Sequence, residues 1–322
     1  MKISILLPYK ENFTSDLAGA VSLFVSQISN ESKFNKDIKI YGNTKSKKYL
    51  SKNYKNINFD TLFFQSSSRS YVNNFLKNED VLKSDIIEIH NRPNYIKFIK
   101  KKFNKKLFLY FHNDPLTMEG SMNIKDRLYL VKNIDKLIFN SNWSRNRFLL
   151  NLNLDELEID KFKVCYQSSD NVSVDFNKKE KIISFIGKLN TAKGYDIFGS
   201  AILEVLNKHK DWKAIVIGNE EREKHIFIHN RLHILGFKNN KYILELLKKV
   251  SISVVCSRWQ EPFGRASLEA SSRGSAVITS DTGGLKETTK FSLKLKKLEK
   301  KELINNINLL IENKTLLIKK QK

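Results

Sequence analysis

Residues 251–288 read SISVVCSRWQEPFGRASLEASSRGSAVITSDTGGLKET. The β-branched apolar run from Ile252 to Cys256 predicts a buried strand. Glu261-Pro262-Phe263-Gly264 follows, and an amphipathic helix is expected to begin near Gly264, with Ala266, Leu268 and Ala270 turned inward. Gly274 ends that helix, residues 276–279 read as a second buried strand, and Thr282-Gly283-Gly284 opens another turn. A helix start offers unpaired N–H groups and the positive end of the dipole, which suits diphosphates and hydroxyls. Pro262 fixes the backbone entering the turn, and Gly264 lets a ligand approach with no Cβ in the way. Glu261 precedes the helix, and Glu269, eight residues on, lies about two turns along it. Two carboxylates so placed can accept hydrogen bonds from two sets of hydroxyls, as a sugar joined to a ribose presents them. A bare Glu-x7-Glu pair is more often a capping carboxylate and a surface glutamate. Pro262, Phe263, Gly264, Ala270 and Gly283-Gly284 around it count against that plainer reading.

With those residues in place, EPFGRASLEASSRGSAVITSDTGGLKE (261–287) resembles the Glu-x7-Glu segment of the family 4 glycosyltransferases, retaining enzymes of the GT-B fold. The resemblance implies an α/β fold of two Rossmann-like domains facing across a cleft.

At 322 residues the chain is long enough for two domains with separate cores. No apolar run reaches the length of about 18 residues that spans a membrane. The start, MKISILLPYKENF, is interrupted by Pro8, Lys10 and Glu11 and reads as a first strand, not a leader. Cys165 and Cys256 lie in apolar strand-like runs without metal spacing and are expected to be buried small hydrophobes. Nothing calls for an oxidising compartment, so the expected location is cytoplasmic. The formal charge of +23 comes from 47 lysines and ten arginines against 34 acidic residues, spread as +10 over residues 1–170 and +13 over 171–322. Nucleic-acid binders more often gather basic residues on one face, with arginine for bidentate contacts, so nucleic acid is not expected as a partner. The lysine excess fits either codon bias of an AT-rich genome or attraction to anionic lipid or acidic glycan.

From the N-terminus, residues 2–7 read as a strand, residues 8–17 as a loop and 17–29 as a helix, the opening of a Rossmann-like half. No G-x-G-x-x-G is present. In the resembling family this loop carries one or two glycines beside the donor phosphates; Gly19 fits that role, and Ala18 stands where a second glycine is common. Further strands are expected at 38–41, near 57–64, and at 86–90, 107–112 and 136–140, an alternation that predicts a parallel sheet. His90 and His112 stand at two strand ends, where such sheets bind their ligands. The resemblance places His112 beside the donor sugar, while His90 either lines the acceptor site or braces the loop. Residues 94–106 are basic, with Tyr95, Ile96, Phe98, Ile99 and Phe103 at helical spacing. They read as a sheet-flanking helix with a lysine face or as a dock for an anionic membrane.

The polar stretch 169–180 is read as a linker between an acceptor-binding domain (1–168) and a donor-binding domain (181–322). The second half opens with a strand at 182–186, then Gly187-Lys188-Leu189 and Lys193-Gly194. Lys188 and Lys193 can clamp a diphosphate by charge; in the resembling family the first of the pair is usually arginine. Strands at 214–217, before Gly218, and 233–235, before Gly236, lead to edges that contact the base in that family. After Glu287 comes a lysine-rich connector, a helix over 301–312 and a basic tail, without the crossover helices with which family members usually end.

The resemblance therefore implies transfer of a hexose from a nucleotide diphosphate sugar to a saccharide or lipid-linked acceptor, as in lipopolysaccharide or polysaccharide synthesis. Gly19, Gly187, Lys188, Lys193, Gly218, Glu261, Pro262, Phe263, Gly264, Arg265 and Glu269 are the expected donor contacts, and His112, Lys188, Lys193 and Glu261 the catalytic ones. No cofactor is expected, and with no Asp-x-Asp motif the lysines stand in for a metal. A nucleotide-sugar epimerase and a donor-binding protein without turnover are the alternatives.

Overall fold

Strand-length apolar runs separated by helices leave little choice but parallel sheets covered on both faces. The computed structural model describes residues 1–59, 66–170 and 172–322 and divides the chain into two compact units, Met1–Gln167 and Ser168–Lys322. The first unit contains β1 (Ile3–Leu6), β2 (Ile38–Gly42), β3 (Tyr54–Asn56), β4 (Ile86–His90), β5 (Lys106–Phe111), β6 (Lys136–Phe139) and β7 (Phe162–Val164). All neighbours pair in parallel, in the order β3-β2-β1-β4-β5-β6-β7. Alternation sends Ile5 and Leu7 to one core, with Val21, Phe24 and Val25, and Leu6 to the other, with Ile87, Leu107 and Phe139. The first helix, Ala20–Glu31, begins directly after Gly19.

Several expectations change. The strand placed near 57–64 lies earlier, as β3; residues 57–59 belong to no strand, and 60–64 lie outside the described residues. The 94–106 stretch is not one amphipathic helix. Pro93–Tyr95 is a 3-10 turn and Ile96–Ile99 a single helical turn, and Tyr95, Ile96, Ile99 and Phe103 are all buried in the core. Its apolar residues are used up by packing, while Lys97, Lys101, Lys102, Lys105 and Lys106 stay exposed. Cys165 is exposed, because it follows the edge strand β7; Cys256 is buried, and burial pushes its thiol up to about 12.

The second unit contains β8 (Glu180–Ile186), β9 (Lys213–Ile217), β10 (Leu232–Ile234), β11 (Val250–Val255), β12 (Ala276–Ser280) and β13 (Leu293–Leu295). They are parallel, in the order β10-β9-β8-β11-β12-β13. The order reverses between β8 and β11, the point at which open α/β sheets bind nucleotides, outside the carboxyl ends of the strands. Residues before β8 are fastened to this unit: the Arg273 guanidinium donates to Ser169 Oγ (3.0 Å) and the Asp170 carbonyl (3.1 Å). The Lys179 ammonium donates to the carbonyls of Leu247, Val250 and Arg273 at 3.0, 2.9 and 2.6 Å. Two elements lie where the sequence reading has only connector and tail. One is β13; the other is helix Lys314–Gln321, capped by Asn313 and tied to Ser251 O by Gln321 Nε2 (3.2 Å). Among the described residues no helix is long and apolar enough to cross a membrane.

Candidate active site

The loops leaving β8 and β11 are laced together at the reversal of strand order. Asn190 Oδ1 accepts from Lys193 N (3.0 Å) and caps the turn Thr191–Lys193. The backbone N–H groups of Arg258 and Trp259 both donate to Ala192 O at 2.9 Å, and the Arg258 guanidinium forks onto Asp196 at 2.6 and 2.7 Å. Gly194 sits between the loops with φ +74°, and a Cβ there would lie 1.9 Å from the Cys256 carbonyl oxygen, so only glycine fits. Gly187 and Gly218 meet in the same way at the ends of β8 and β9: a Cβ on Gly218 would lie 1.8 Å from Gly187 O. Asn190 Nδ2 also reaches Glu220 Oε2 (3.0 Å), a carboxyl that hydrogen bonds from Arg222 hold down to about 2.

This lacing brings the Lys193 ammonium onto Glu261 Oε1 as an ion pair, with side-chain exposures of 30% and 13%. Lys188 is exposed, with no hydrogen bond or ion pair to the described residues. Gly284 N donates to Glu261 O at 2.7 Å, and Thr288 Oγ1 donates to Phe263 O, so the Thr282-Gly283-Gly284 turn holds the Glu261–Phe263 backbone from behind. Pro262 and Phe263 are buried by it. Gly264 (φ +95°) starts helix Arg265–Ser272, whose first turn has no side-chain cap, leaving N–H groups open to a ligand. On that helix the inward residues are Ser267, Glu269 and Ala270; Ala266 and Leu268 are only half-buried, a shift of the buried face from the expected one.

Glu269 is 6% exposed. Its Oε1 accepts from Arg265 Nη2 (2.8 Å), Arg265 Nε (3.2 Å) and Asn240 Nδ2 (3.1 Å), whereas Oε2 accepts from none of the described residues. One oxygen anchors the side chain and the other is left open. The sequence reading missed Asn240, Asn190 and the Arg258–Asp196 fork. Of these only Asn190 had a local signal, an Asx residue three before the lysine whose amide it caps.

In the first unit Gly19 precedes helix Ala20–Glu31, and Glu11 supplies the cap: its Oε1 accepts from Ser22 N at 3.2 Å. The position of a Cβ on Gly19 lies 2.7 Å from that same oxygen. A carboxylate thus already occupies the helix start expected to pass beside donor phosphates. His112 and His90 lie together, with His90 Nδ1 2.8 Å from His112 Nε2. His112 Nδ1 faces Gln167 Nε2 at 3.1 Å, so both of its ring nitrogens are engaged inside the unit. Among the described residues no cluster of three His, Cys, Asp or Glu side chains has metal-ligand geometry.

The sequence profile described as Glycosyl transferases group 1 matches residues 167–321. An uncharacterized 42.6 kDa protein in the cps region of Klebsiella pneumoniae is 29% identical over 188 residues, covering 57% of this chain and 48% of that protein. The chain thus spans under half of that relative's length, and 32% and 31% of two other curated relatives. Among solved structures, Anabaena HepE in complex with UDP-glucose superposes with a TM-score of 0.79 at 16% identity, over 100% of this chain and 93% of that one. A lipopolysaccharide outer core galactosyltransferase in its apo form superposes with a TM-score of 0.68 at 14% identity, over 99% and 94%. Such identities speak for the fold alone. Residues 167–321 thus match the group 1 glycosyl transferase profile, and the chain as a whole has the GT-B fold, built from two Rossmann-like units.

Proposed function

We propose that this protein is a retaining hexosyltransferase that uses a nucleotide diphosphate sugar and extends a saccharide or lipid-linked acceptor of a cell-surface glycan. The observation that carries the reading is the grouping at the β8/β11 reversal: the Lys193–Glu261 pair, the uncapped helix start after Gly264, and the open Oε2 of Glu269 along the same helix. In this reading Glu269 holds the ribose, Glu261 the sugar hydroxyls, and the backbone around Phe263–Arg265 orients the donor. The acceptor hydroxyl bonds to the anomeric carbon as the bond from that carbon to the diphosphate oxygen breaks. The hydroxyl proton is released, and the nucleoside diphosphate leaves. Lys193, Lys188 and the helix start meet the charge developing on the diphosphate, so the reading uses no metal ion. Retention rests on the family resemblance alone. The relatives support the donor and acceptor classes: UDP-glucose is bound in HepE, and the galactosyltransferase acts on a lipopolysaccharide core by its name.

The acceptor class and the exposed lysines of residues 97–106 support a cytoplasmic protein that visits an anionic membrane surface by charge, without inserting. A thermal-shift panel of nucleotide sugars tests the donor claim, since a ligand at a hundred times its Kd stabilises by about 2.7 kcal/mol. Product analysis with saccharide and lipid-linked acceptors follows. No shift with any nucleotide or nucleotide sugar would overturn the reading.

A further inference from the structure

Four polar side chains of the first unit form a hydrogen-bonded chain across the carboxyl ends of β4 and β5. Glu88 Oε1 lies 2.7 Å from His90 Nε2, His90 Nδ1 2.8 Å from His112 Nε2, and His112 Nδ1 3.1 Å from Gln167 Nε2. His90 is 0% exposed, and His112 and Gln167 are each 6% exposed. The Glu88 carboxylate can only accept, so the His90 proton sits on Nε2 and His90 Nδ1 accepts in turn. The proton it accepts is on His112 Nε2, which leaves His112 Nδ1 to accept from the Gln167 amide N–H. With Glu88 ionised, this single polarity satisfies every link.

The surroundings leave the rings no freedom to turn. Tyr110 stacks on both imidazoles, with centroids 5.5 Å from His90 and 4.4 Å from His112, and Phe24 stands edge-on to His112 at 5.1 Å. The Tyr110 hydroxyl, pushed far up by burial, donates to Cys165 O and fixes that ring in turn. The main chain is held by the residue that follows β4. Asn91, at φ +57°, turns its Oδ1 to accept from both His112 N and Asn113 N at 3.1 Å. His90 therefore grips the His112 ring while Asn91 grips its backbone.

We propose that Glu88 and His90 are positioning residues, which lock His112 in its Nε2–H tautomer and fix the turn after β5 for glycosyl transfer. This rests on the functional reading above, with His112 contributing through the placement of its turn. Neither Glu88 nor His90 needs to touch substrate. Glu88 sets the tautomer of His90, and His90 sets that of His112, as a buried carboxylate orients an imidazole elsewhere.

The test joins a spectroscopic and a kinetic readout on the full chain. Long-range proton–nitrogen spectra of 15N-histidine protein are expected to show His90 and His112 each as a single Nε2–H tautomer. Glu88→Leu is expected to leave mixed tautomers at both rings. It should lower kcat by roughly 10- to 100-fold while the donor KM changes by no more than about 2-fold. Glu88→Gln keeps an acceptor oxygen for His90 and should restore the tautomers and most of kcat. A His112 proton on Nδ1 in the wild type, or unchanged tautomers and kcat in Glu88→Leu, would overturn the proposal. If Glu88→Leu fails to fold, the wild-type tautomers and the Glu88→Gln variant decide. A wild type that transfers no sugar overturns the functional reading instead, and the spectra alone then judge the tautomer lock.

Discussion

Lys193→Met separates two jobs of one lysine, holding Glu261 and meeting phosphate charge. The Glu261 side chain is 13% exposed, so removing its partner leaves a carboxylate largely shut away from water. Orphaning a buried polar group costs about 1–3 kcal/mol; the remaining exposure of the pair puts the expected loss at about 1–2 kcal/mol. For a unit of 155 residues, Ser168–Lys322, that lowers Tm by about 2–8 °C. Losing a charge-assisted contact to the leaving diphosphate costs about 2–4 kcal/mol of barrier, or roughly 30- to 1000-fold in kcat. Lys188 holds no described neighbour in place. Lys188→Met should leave Tm unchanged and lower kcat by about 10-fold or less, as suits an exposed charge. Adding Glu261→Gln to Lys193→Met removes the orphaned charge, so the double variant should regain Tm but not turnover. Melting curves and steady-state kinetics on the four proteins suffice. Equal, mild losses in the Lys188 and Lys193 variants, or wild-type turnover in the double variant, would refute the phosphate role.

Glu269→Ala should weaken the preferred nucleoside diphosphate by roughly 10- to 100-fold, the loss of a charged hydrogen bond or two, and slow the reaction of bound donor less; calorimetric titration showing unchanged affinity would sink the ribose assignment. Burial pulls the Lys179 ammonium down to about 7. Between about pH 7 and 10 the unfolded chain then binds this proton more tightly than the folded one, so the Lys179 contribution to stability rises with pH. Lys179→Met should flatten that rise in denaturant unfolding at about pH 7 and 9, and identical slopes for the two proteins would count against it. Neutral residues at Lys100, Lys101, Lys102, Lys105 and Lys106 should abolish co-sedimentation with anionic vesicles at low salt, each lysine being worth about 1 kcal/mol at such a surface; equal binding by wild type and variant would free this stretch of any docking role.

The fold was legible wherever local pattern and packing agree. The runs at 182–186, 214–217 and 252–256 are apolar but for Ser184 and Ser253, which bond to each other, because their strands are buried on both faces, and each is found within a residue or two of its expected place. Reading failed where lysine stems disguise a packed element. Leu293-Lys294-Leu295 has the alternation of a strand, but the surrounding lysines made it read as connector. In the structure Lys294 reaches back to Thr279 Oγ1 and Leu285 O, both at 3.1 Å. Residues 314–321 read as a basic tail for the same reason, although Leu316 and Leu317 pack on the core. At 94–106 the error ran the other way. Helical spacing suggested a surface helix, yet Pro93 opens a tight turn and all but Phe98 of the apolar residues are fully drawn into the core.

The two halves of the candidate site differ in how far apart their parts lie along the chain. Glu261, Gly264 and Glu269 fall within nine residues, so one loop and one helix set their spacing, and a reader of the sequence needs only the helical repeat to relate them. Lys193 is 68 residues from Glu261, and what joins them is the pairing of β8 with β11, which no local pattern announces. The lysine and the glutamate could be assigned singly, to phosphate and to sugar, but not to each other. They hold one another at the mouth of the helix, so in the proposed function neither charge has to be ordered anew when a donor arrives. Glu88 and His90 were further out of reach. Their two-residue spacing puts both on one face of β4, and Tyr110 and His112 likewise share a face beside it through the His90–Tyr110 register, but Gln167 closes the chain from 55 residues beyond His112. A strand-end histidine read alone invites the role of a group that touches substrate. With both ring nitrogens hydrogen-bonded inside the unit, the role proposed for it instead is to hold the turn.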